Sequence, residues 1–136
     1  MNKHLEIYTD GGARGNPGPA GIGVVIWSGH SLIGTYKRYI GEATNNQAEY
    51  QAVLLGLEQA QRMGAEELEF YLDSELLVGQ LSRKFKIKNP ELGSLFVKAW
   101  NIMLGFKKVS FQHIPREKNH EADKLVNQAI DEHFSH

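Results

Sequence analysis

The stretch Leu5-Glu6-Ile7-Tyr8-Thr9-Asp10 predicts a first β-strand that ends in an aspartate. Apolar and polar side chains alternate along it, as in a strand with one face in a core. Its last three residues recur almost unchanged as Tyr71-Leu72-Asp73, at the end of another apolar run. Functional side chains collect beyond the carboxyl ends of parallel neighbouring strands. We therefore expect Asp10 and Asp73 to meet at one edge of a sheet, on the same face.

The rest of the chain predicts four more strands and helices between them. A loop rich in Gly and Pro follows the first strand. The predicted segments are the loop 11–19, strands 21–27, 32–40, 68–73 and 109–113, and helices from about 47–63, 75–82, 90–104 and 119–133. Consecutive strands with short connections form an antiparallel meander, whereas strands separated by helices pair in parallel through right-handed crossovers. The fold class is therefore α/β, a five-stranded mixed sheet flanked by helices in the order βββαβααβα.

The composition is that of an ordinary globular protein, and we expect residues 1–136 to form one domain. The chain has no cysteine, which excludes disulfides and thiolate zinc sites. Its start has no apolar signal segment, and the longest apolar stretch, 20–27, is too short to cross a bilayer. We expect no membrane association.

The net charge of −1 conceals an uneven distribution. Residues 83–118 hold nine of the fifteen Lys and Arg residues but two of the sixteen acids, so this segment carries +7 and the remainder −8. Such a segment is compatible with a polyanionic partner that docks on one side, although a solvated basic helix face explains the charge equally well.

Two further acids lie in the first turns of predicted helices. Glu49 heads an apolar stripe with Val53, Gly56 and Ala60, which directs its carboxylate towards the sheet. The alternative is a capping box in which Asn46 is the N-cap and Glu49 is residue N3.

Asp123 similarly shares a helix face with Val126, Ile130 and Phe134. Its alternative is a first-turn acid favoured by the helix dipole, with Asn119 as N-cap. Asp10 and Asp73 could each be an ordinary turn aspartate. Taken singly, each structural alternative is the stronger one. Four acids at the matching ends of four elements instead favour a site for divalent cations and phosphodiester hydrolysis.

The chain resembles the type 1 ribonuclease H family nearly from end to end. Any one of the matching segments is weak, but together, in order and at family spacing, they are specific. They are Tyr8-Thr9-Asp10-Gly11-Gly12, Gly15-Asn16-Pro17-Gly18-Pro19-Ala20-Gly21, Thr44-Asn45-Asn46-Gln47-Ala48-Glu49, Asp73-Ser74, and Ile114-Pro115-Arg116-Glu117-Lys118-Asn119-His120-Glu121-Ala122-Asp123. The resemblance implies a ribonuclease H-like fold.

The resemblance further implies an endonuclease that cuts the RNA strand of RNA–DNA hybrids and leaves 3′-hydroxyl and 5′-phosphate ends. Asp10, Glu49, Asp73 and Asp123 would be the catalytic and metal-binding acids. Two Mg²⁺ ions, with Mn²⁺ as a substitute, would sit about 4 Å apart when substrate is bound. Such an enzyme is expected to be monomeric and cytoplasmic.

Hybrid-reading positions of the family also have counterparts here. Asn16, Asn45 and Asn46, with the backbone of Gly11, Gly12 and Ala13, would lie in the minor groove and sense 2′-hydroxyls. Thr44 would hold a phosphate of the DNA strand. The alternatives are that Asn16-Pro17-Gly18 forms an ordinary turn and that Asn45-Asn46 begins a helix.

Three departures from the family pattern concern substrate contacts. Glu75 stands where bacterial relatives often carry a glutamine that touches the RNA. The segment 83–88 lacks a long basic protrusion, so Lys84, Lys86 and Lys88 would replace it in part and hybrid binding would be weaker and salt-sensitive. The loop before Asp123 lacks the histidine of many bacterial members, and Arg116 is the nearest replacement.

Two other functions stay open at this stage. One is another nuclease or strand-transfer enzyme of the same fold, such as a Holliday-junction resolvase or an integrase core. The Gly-Asn-Pro-Gly loop and the asparagines before Glu49 disfavour it. The other is a non-catalytic module that binds hybrids, which has no use for four acids that repel phosphate.

Overall fold

The computed structural model describes residues 3–135 and consists of a five-stranded mixed sheet with helices on both faces. The predicted fold class and element order are confirmed, with one added 3₁₀ turn. The elements are β1 (His4–Ala13), β2 (Gly18–Ser28), β3 (Ser31–Ala43), α1 (Asn45–Arg62), β4 (Glu67–Leu72), α2 (Glu75–Leu81), α3 (Pro90–Met103), β5 (Lys108–His113), a 3₁₀ turn (Arg116–Asn119) and α4 (His120–Phe134).

The sheet order β3-β2-β1-β4-β5 places β1 at the centre. β1, β2 and β3 form the predicted antiparallel meander, while β4 and β5 run parallel to β1. The parallel register pairs Tyr8 with Tyr71. Asp10 and Asp73 both follow this pair by two residues, so their carboxylates emerge at the same edge of the sheet, as the repeated strand ends predicted.

The prediction of a loop over residues 11–19 was wrong at both ends. β1 continues through Ala13 and β2 begins at Gly18, because Gly12 pairs with Gly21 and Ala13 with Ala20. Glycine at Gly11 serves close approach of another element instead of a turn. A Cβ built there would lie 2.3 Å from the carbonyl carbon and oxygen of Ala48. The N-terminal turn of α1 therefore rests directly on the backbone of β1.

Thr44, and not Asn46, is the N-cap of α1. Its Oγ1 accepts a hydrogen bond from the Gln47 N–H at 3.1 Å, while Gln47 Oε1 accepts one from the Thr44 N–H at 2.9 Å. This capping box occupies Gln47, so the alternative that made Glu49 a capping residue is wrong. The carboxylate of Glu49 is consequently available at the edge of the sheet.

α4 lies on the opposite face of the sheet from α1. Gly23, the β2 partner of Asp10, allows this approach because a Cβ there would lie 2.4 Å from the Ala122 carbonyl oxygen. Val126 and Ile130 are buried as predicted, but Phe134 is 60% exposed and not part of the buried face. It lies at the end of α4, beside the ring of Tyr39.

Within residues 3–135, no helix is both long and apolar enough to cross a membrane.

The contact between α1 and β1 gives a first prediction. Gly11→Ala should lower the free energy of unfolding by about 2–3 kcal/mol, because the new methyl group overlaps the Ala48 backbone and must push α1 away. Urea denaturation of the purified variant measures this loss.

Gly93→Ala is the matched control, since a Cβ at this position of α3 meets no atom of residues 3–135 within 4 Å. It should leave stability unchanged or raise it by up to about 1 kcal/mol. Equal urea midpoints for the two variants would contradict the close approach of α1 to β1.

Candidate active site

Three acidic side chains from different elements meet at the edge of the sheet. Asp10 on β1, Glu49 on α1 and Asp73 after β4 each offer a carboxylate oxygen, and these oxygens all lie within 4.8 Å of one another. Asp10 is 8% exposed and Glu49 is 7% exposed, whereas Asp73 is half-buried. The rings of Tyr8 and Tyr71 stack at 4.8 Å just behind them and hold the two strand ends together.

One backbone group fixes the two buried carboxylates. The Gly11 N–H donates to Asp10 Oδ1 at 3.0 Å and to Glu49 Oε1 at 2.5 Å. A shared donor satisfies only part of the hydrogen-bonding capacity of two carboxylates. The remaining oxygen lone pairs are therefore available to a cation.

Asp123 lies at the same cavity but outside this tight group of three. Its side chain is 31% exposed, and its Oδ1 is 4.0 Å from Arg116 Nη2. The cavity has a volume of about 470 Å³. Its walls come from β1, α1, the end of β4 and α4, and comprise Asp10, Gly11, Gly12, Ala13, Arg14, Asn45, Asn46, Glu49, Asp73, Arg116, Asp123, Val126, Asn127 and Ile130.

Burial and mutual repulsion disfavour the charged forms of these acids. The pKa of Asp10 is raised to about 7, mainly by burial and additionally by the charges of Asp73 and Asp123, while the contact with Glu49 opposes the rise. The pKa of Glu49 is raised well above its usual value by burial and by Asp10, and the Gly11 N–H opposes this shift. A protein that keeps such groups ionised near neutral pH needs positive charge among them.

The donor set suits a hard divalent cation. It consists of carboxylate oxygens, which Mg²⁺, Mn²⁺ and Ca²⁺ prefer, and it contains neither thiolate nor imidazole. The cation would offset the burial and the repulsion that together raise the pKa of Asp10. The residues present therefore fit a divalent metal site.

Most of the predicted substrate-contacting residues line the cavity or adjoin it. Gly11, Gly12, Ala13, Asn45, Asn46 and Arg116 are in its walls. Asn16 and Asn45 are hydrogen-bonded to neighbouring backbone: Asn16 Oδ1 accepts from the Asn45 N–H at 3.0 Å, and Asn45 Oδ1 accepts from the Ala13 N–H at 2.9 Å. These bonds fix the orientation of each amide, with its oxygen towards the backbone N–H, because an NH₂ group cannot accept a hydrogen bond. Both side chains keep an NH₂ group that can donate.

The other predicted contacts lie outside the cavity wall. The Thr44 hydroxyl is engaged as the cap of α1, although it still has a proton to donate. Lys84, Lys86 and Lys88 are exposed in the connection between α2 and α3, and Glu75 is the exposed first residue of α2.

Sequence reasoning missed Arg14 and Asn127 in the cavity wall and the inward contact of Asn119 beside it. Arg14 lines the cavity, and its guanidinium pairs with Asp131 of α4 at 2.7 Å. The sequence did offer an indication of this role, because Arg14 is the one cationic residue in the Gly-rich segment 11–19. Asn119 was predicted as an N-cap, but its side chain makes no capping bond and points inward, where it contacts Asp73. Sequence offered no indication of this, since asparagine is common at helix starts.

The raised pKa of Asp10 predicts a stability penalty in the metal-free protein. The folded pKa of about 7 exceeds the usual 3.8, so the folded state binds more protons than the unfolded chain between these pH values. The free energy of unfolding should therefore fall as pH rises through this window. In chelator at pH 8, Asp10→Asn should raise it by about 1–3 kcal/mol, and the gain should vanish near pH 4.

Glu58→Gln removes an exposed carboxylate from the same helix as Glu49 and serves as control. It should stay within about 0.5 kcal/mol of wild type at both pH values. Denaturant titrations at each pH make the comparison. An Asp10→Asn protein less stable than wild type at pH 8 would contradict the crowding of charge.

Comparisons with known proteins agree with this geometry. The family model described as "Reverse transcriptase-like" matches residues 8–129. LC11-RNase H1, isolated from compost by a metagenomic approach and solved in complex with an RNA/DNA hybrid, is 48% identical and has a TM-score of 0.92 over 96% of this chain and 99% of its own. The RNase H1 of Halobacterium salinarum is 40% identical, with a TM-score of 0.92 over 95% of this chain and 98% of its own.

A longer relative contains a similar domain. The bifunctional protein of Mycobacterium tuberculosis is 44% identical over 129 residues, which are 93% of this chain and 35% of the relative. The chain thus spans about a third of the length of this curated relative, and 65% of the Halobacterium salinarum Ribonuclease HI. The match to the family model over residues 8–129 and the 48% identity to LC11-RNase H1 establish the conclusion: this chain belongs to the type 1 ribonuclease H family.

Proposed function

We propose that this protein is an endonuclease that hydrolyses the RNA strand of RNA–DNA hybrids and leaves 3′-hydroxyl and 5′-phosphate ends. The observation that carries the proposal is the meeting of Asp10, Glu49 and Asp73 within 4.8 Å at an open cavity. The hybrid bound to LC11-RNase H1, a relative 48% identical to this chain, supports the choice of substrate.

Asp10, Glu49, Asp73 and Asp123 would hold two Mg²⁺ ions, or Mn²⁺ in their place. Bound there, the cations would supply Lewis-acid activation of a water and of the scissile phosphate. The Gly11 N–H keeps Asp10 and Glu49 oriented towards one another before any substrate arrives. Such fixed ligands avoid reorganisation during the reaction.

The reaction exchanges one phosphorus–oxygen bond for another. The oxygen of water bonds to phosphorus, the bond from phosphorus to the RNA 3′-oxygen breaks, and that oxygen leaves as the 3′-hydroxyl after it gains a proton. Negative charge accumulates on the phosphoryl oxygens as this happens. Arg116, at the cavity wall beside Asp123, is placed to oppose that charge. It acts as a cation and not as a base, because a guanidinium does not lose its proton.

The asparagines explain preference for a strand with 2′-hydroxyls. Asn16 and Asn45 have their carbonyl oxygens bound to backbone N–H groups, so each presents an NH₂ donor. Minor-groove base edges and 2′-hydroxyl oxygens are acceptors that such donors match. Asn46 stands in the same wall, and the backbone of Gly11, Gly12 and Ala13, also in the wall, would face the minor groove.

The second strand and the flanks of the hybrid would contact other cations and hydroxyls. The Thr44 hydroxyl, at the start of α1, is our proposed partner for a phosphate of the DNA strand. Lys84, Lys86 and Lys88 would add attraction that depends on ionic strength.

We further propose that residues 1–136 act as one ribonuclease H domain, as a monomer, in the cytoplasm. All four acids of the site belong to this one chain, which supports the choice of a monomer. The cysteine-free composition is compatible with a reducing compartment. Analytical ultracentrifugation of the purified protein, with and without hybrid, measures its oligomeric state and so tests whether it is a monomer.

A cleavage panel tests the function. With Mg²⁺ or Mn²⁺, wild type should cut the RNA strand of a hybrid and leave duplex DNA and duplex RNA intact. Asp10→Asn should reduce cleavage to background, because a neutral amide is a poor ligand for a hard cation, while hybrid affinity in chelator stays near wild type.

Wild-type cleavage of branched or duplex DNA instead of hybrid would favour the strand-transfer or resolvase alternative. Hybrid binding without cleavage under either metal would favour the non-catalytic module. An Asp10→Asn variant that cuts at the wild-type rate would show that these carboxylates are not the active site.

Arg116 provides a second prediction about the reaction. Arg116→Ala should lower kcat on the order of 10-fold, because charge on the phosphoryl group then develops unopposed, with a much smaller change in KM. Arg116→Lys should recover part of the rate, and Lys118→Ala, at an exposed cation of the same 3₁₀ turn, should change neither constant. Equal losses in kcat and in affinity would make Arg116 a contact for ground-state phosphate.

A further inference from the structure

Asn119 is buried at the junction of three elements of the site. It is 1% exposed and ends the 3₁₀ turn that leads into α4. Its Nδ2 donates one hydrogen bond to the Thr9 carbonyl oxygen on β1 at 2.8 Å and another to Asp73 Oδ2 at 3.1 Å. Both protons of the amide are therefore committed, one to the central strand and one to a carboxylate of the site.

The orientation of the Asp73 carboxylate depends on its hydrogen bond with Asn119. Asp10 and Glu49 share the Gly11 N–H, whereas Asn119 supplies the one hydrogen bond found to the Asp73 carboxylate within residues 3–135. Asp73 follows the end of β4, where no further ladder bond restrains it. Without Asn119, its carboxylate would be free to rotate towards solvent.

The surroundings of Asn119 indicate that burial serves this contact and not the helix start. The side chain caps no N–H of α4. Within residues 3–135, its Oδ1 has no hydrogen-bond partner. An unpaired buried oxygen costs about 1–3 kcal/mol. Asn119 is buried despite this cost, and the hydrogen bonds of its amide go to Thr9 and Asp73.

We propose that Asn119 is a positioning residue that holds the Asp73 carboxylate in its metal-binding orientation. The inference rests on the proposed function, since it concerns the same site. Asn119 binds Oδ2 of Asp73 and so restricts the rotation of a carboxylate that has an oxygen within 4.8 Å of those of Asp10 and Glu49. The other hydrogen bond of the amide, to the Thr9 carbonyl, ties the start of α4 to β1. Asp123 lies four residues further along that helix.

The test measures Mn²⁺ binding to the free protein by electron paramagnetic resonance, with no nucleic acid present. Asn119→Ala should weaken Mn²⁺ binding about 10-fold, as expected when the group that orients a ligand is lost. Hybrid affinity in chelator should stay unchanged. Should the alanine variant fail to fold, Asn119→Ser, which keeps a small polar group but cannot span both partners, replaces it.

Gln80→Leu is the matched structural control. Gln80 is buried on α2, away from the walls of the cavity, and its Oε1 accepts a hydrogen bond from the Tyr50 hydroxyl at 2.7 Å. Its loss should lower stability to a similar degree but leave the Mn²⁺ dissociation constant unchanged. If Gln80→Leu and Asn119→Ala weaken Mn²⁺ binding equally, Asn119 acts through general stability and the inference is overturned.

A double-mutant cycle separates the route through Asp73 from any other. In an Asp73→Asn background, Asn119→Ala should change the Mn²⁺ dissociation constant by less than about twofold, because the carboxylate it orients is gone. A full 10-fold loss in that background would overturn the inference.

The outcome is independent of cleavage. Wild type that binds Mn²⁺ but leaves hybrids intact would overturn the proposed function alone. Asn119→Ala that binds Mn²⁺ as wild type does would overturn the present inference alone. Wild type that fails to bind Mn²⁺ would overturn both.

Discussion

The Gly11 N–H, shared between the carboxylates of Asp10 and Glu49, is the interaction on which the site depends. It forces two buried acids together, and Asp73 completes a group that repels itself. Burial first, and then the charges of Asp73 and Asp123, raise the pKa of Asp10 to about 7, so without a cation the site retains protons near neutral pH. The same crowding that destabilises the metal-free fold creates affinity for a divalent cation.

Close approach of helices from both faces makes this crowding possible. Gly11 lets the first turn of α1 rest on the central strand, which delivers Glu49 to the strand end. On the other face, Gly23 admits α4 next to Asp10, which brings Asp123 to the cavity. A side chain at either glycine would overlap helix backbone. The absence of side chains at these two glycines therefore determines how close the acids come to one another.

Donors and cations surround the acids on the same edge of the sheet. Asn16 and Asn45 lend their carbonyl oxygens to backbone N–H groups and keep their NH₂ groups for a ligand. Arg14 and Arg116 both line the cavity, and both pair with carboxylates of α4. The cavity thus combines a rim of cations and amide donors with an acidic interior, an arrangement suited to a ligand whose phosphates reach the acids only with a cation between them.

The sequence by itself determined the strands, the helices and their order, and the placement of one acid at the end of each of four elements. These follow from local patterns: alternation along β1, the glycine with positive φ at Gly64 that ends α1, and the proline that opens α3 at Pro90. Only the tertiary structure decided the features that depend on distant residues. Residues 11–13 became strand because β2 pairs with them, Thr44 took the cap in place of Asn46, Asp123 stayed outside the tight group of three, and Asn119 turned inward to Asp73. Local sequence sets which backbone conformations a segment prefers, but hydrogen bonds and repulsions between residues far apart in the chain select among them once the elements pack.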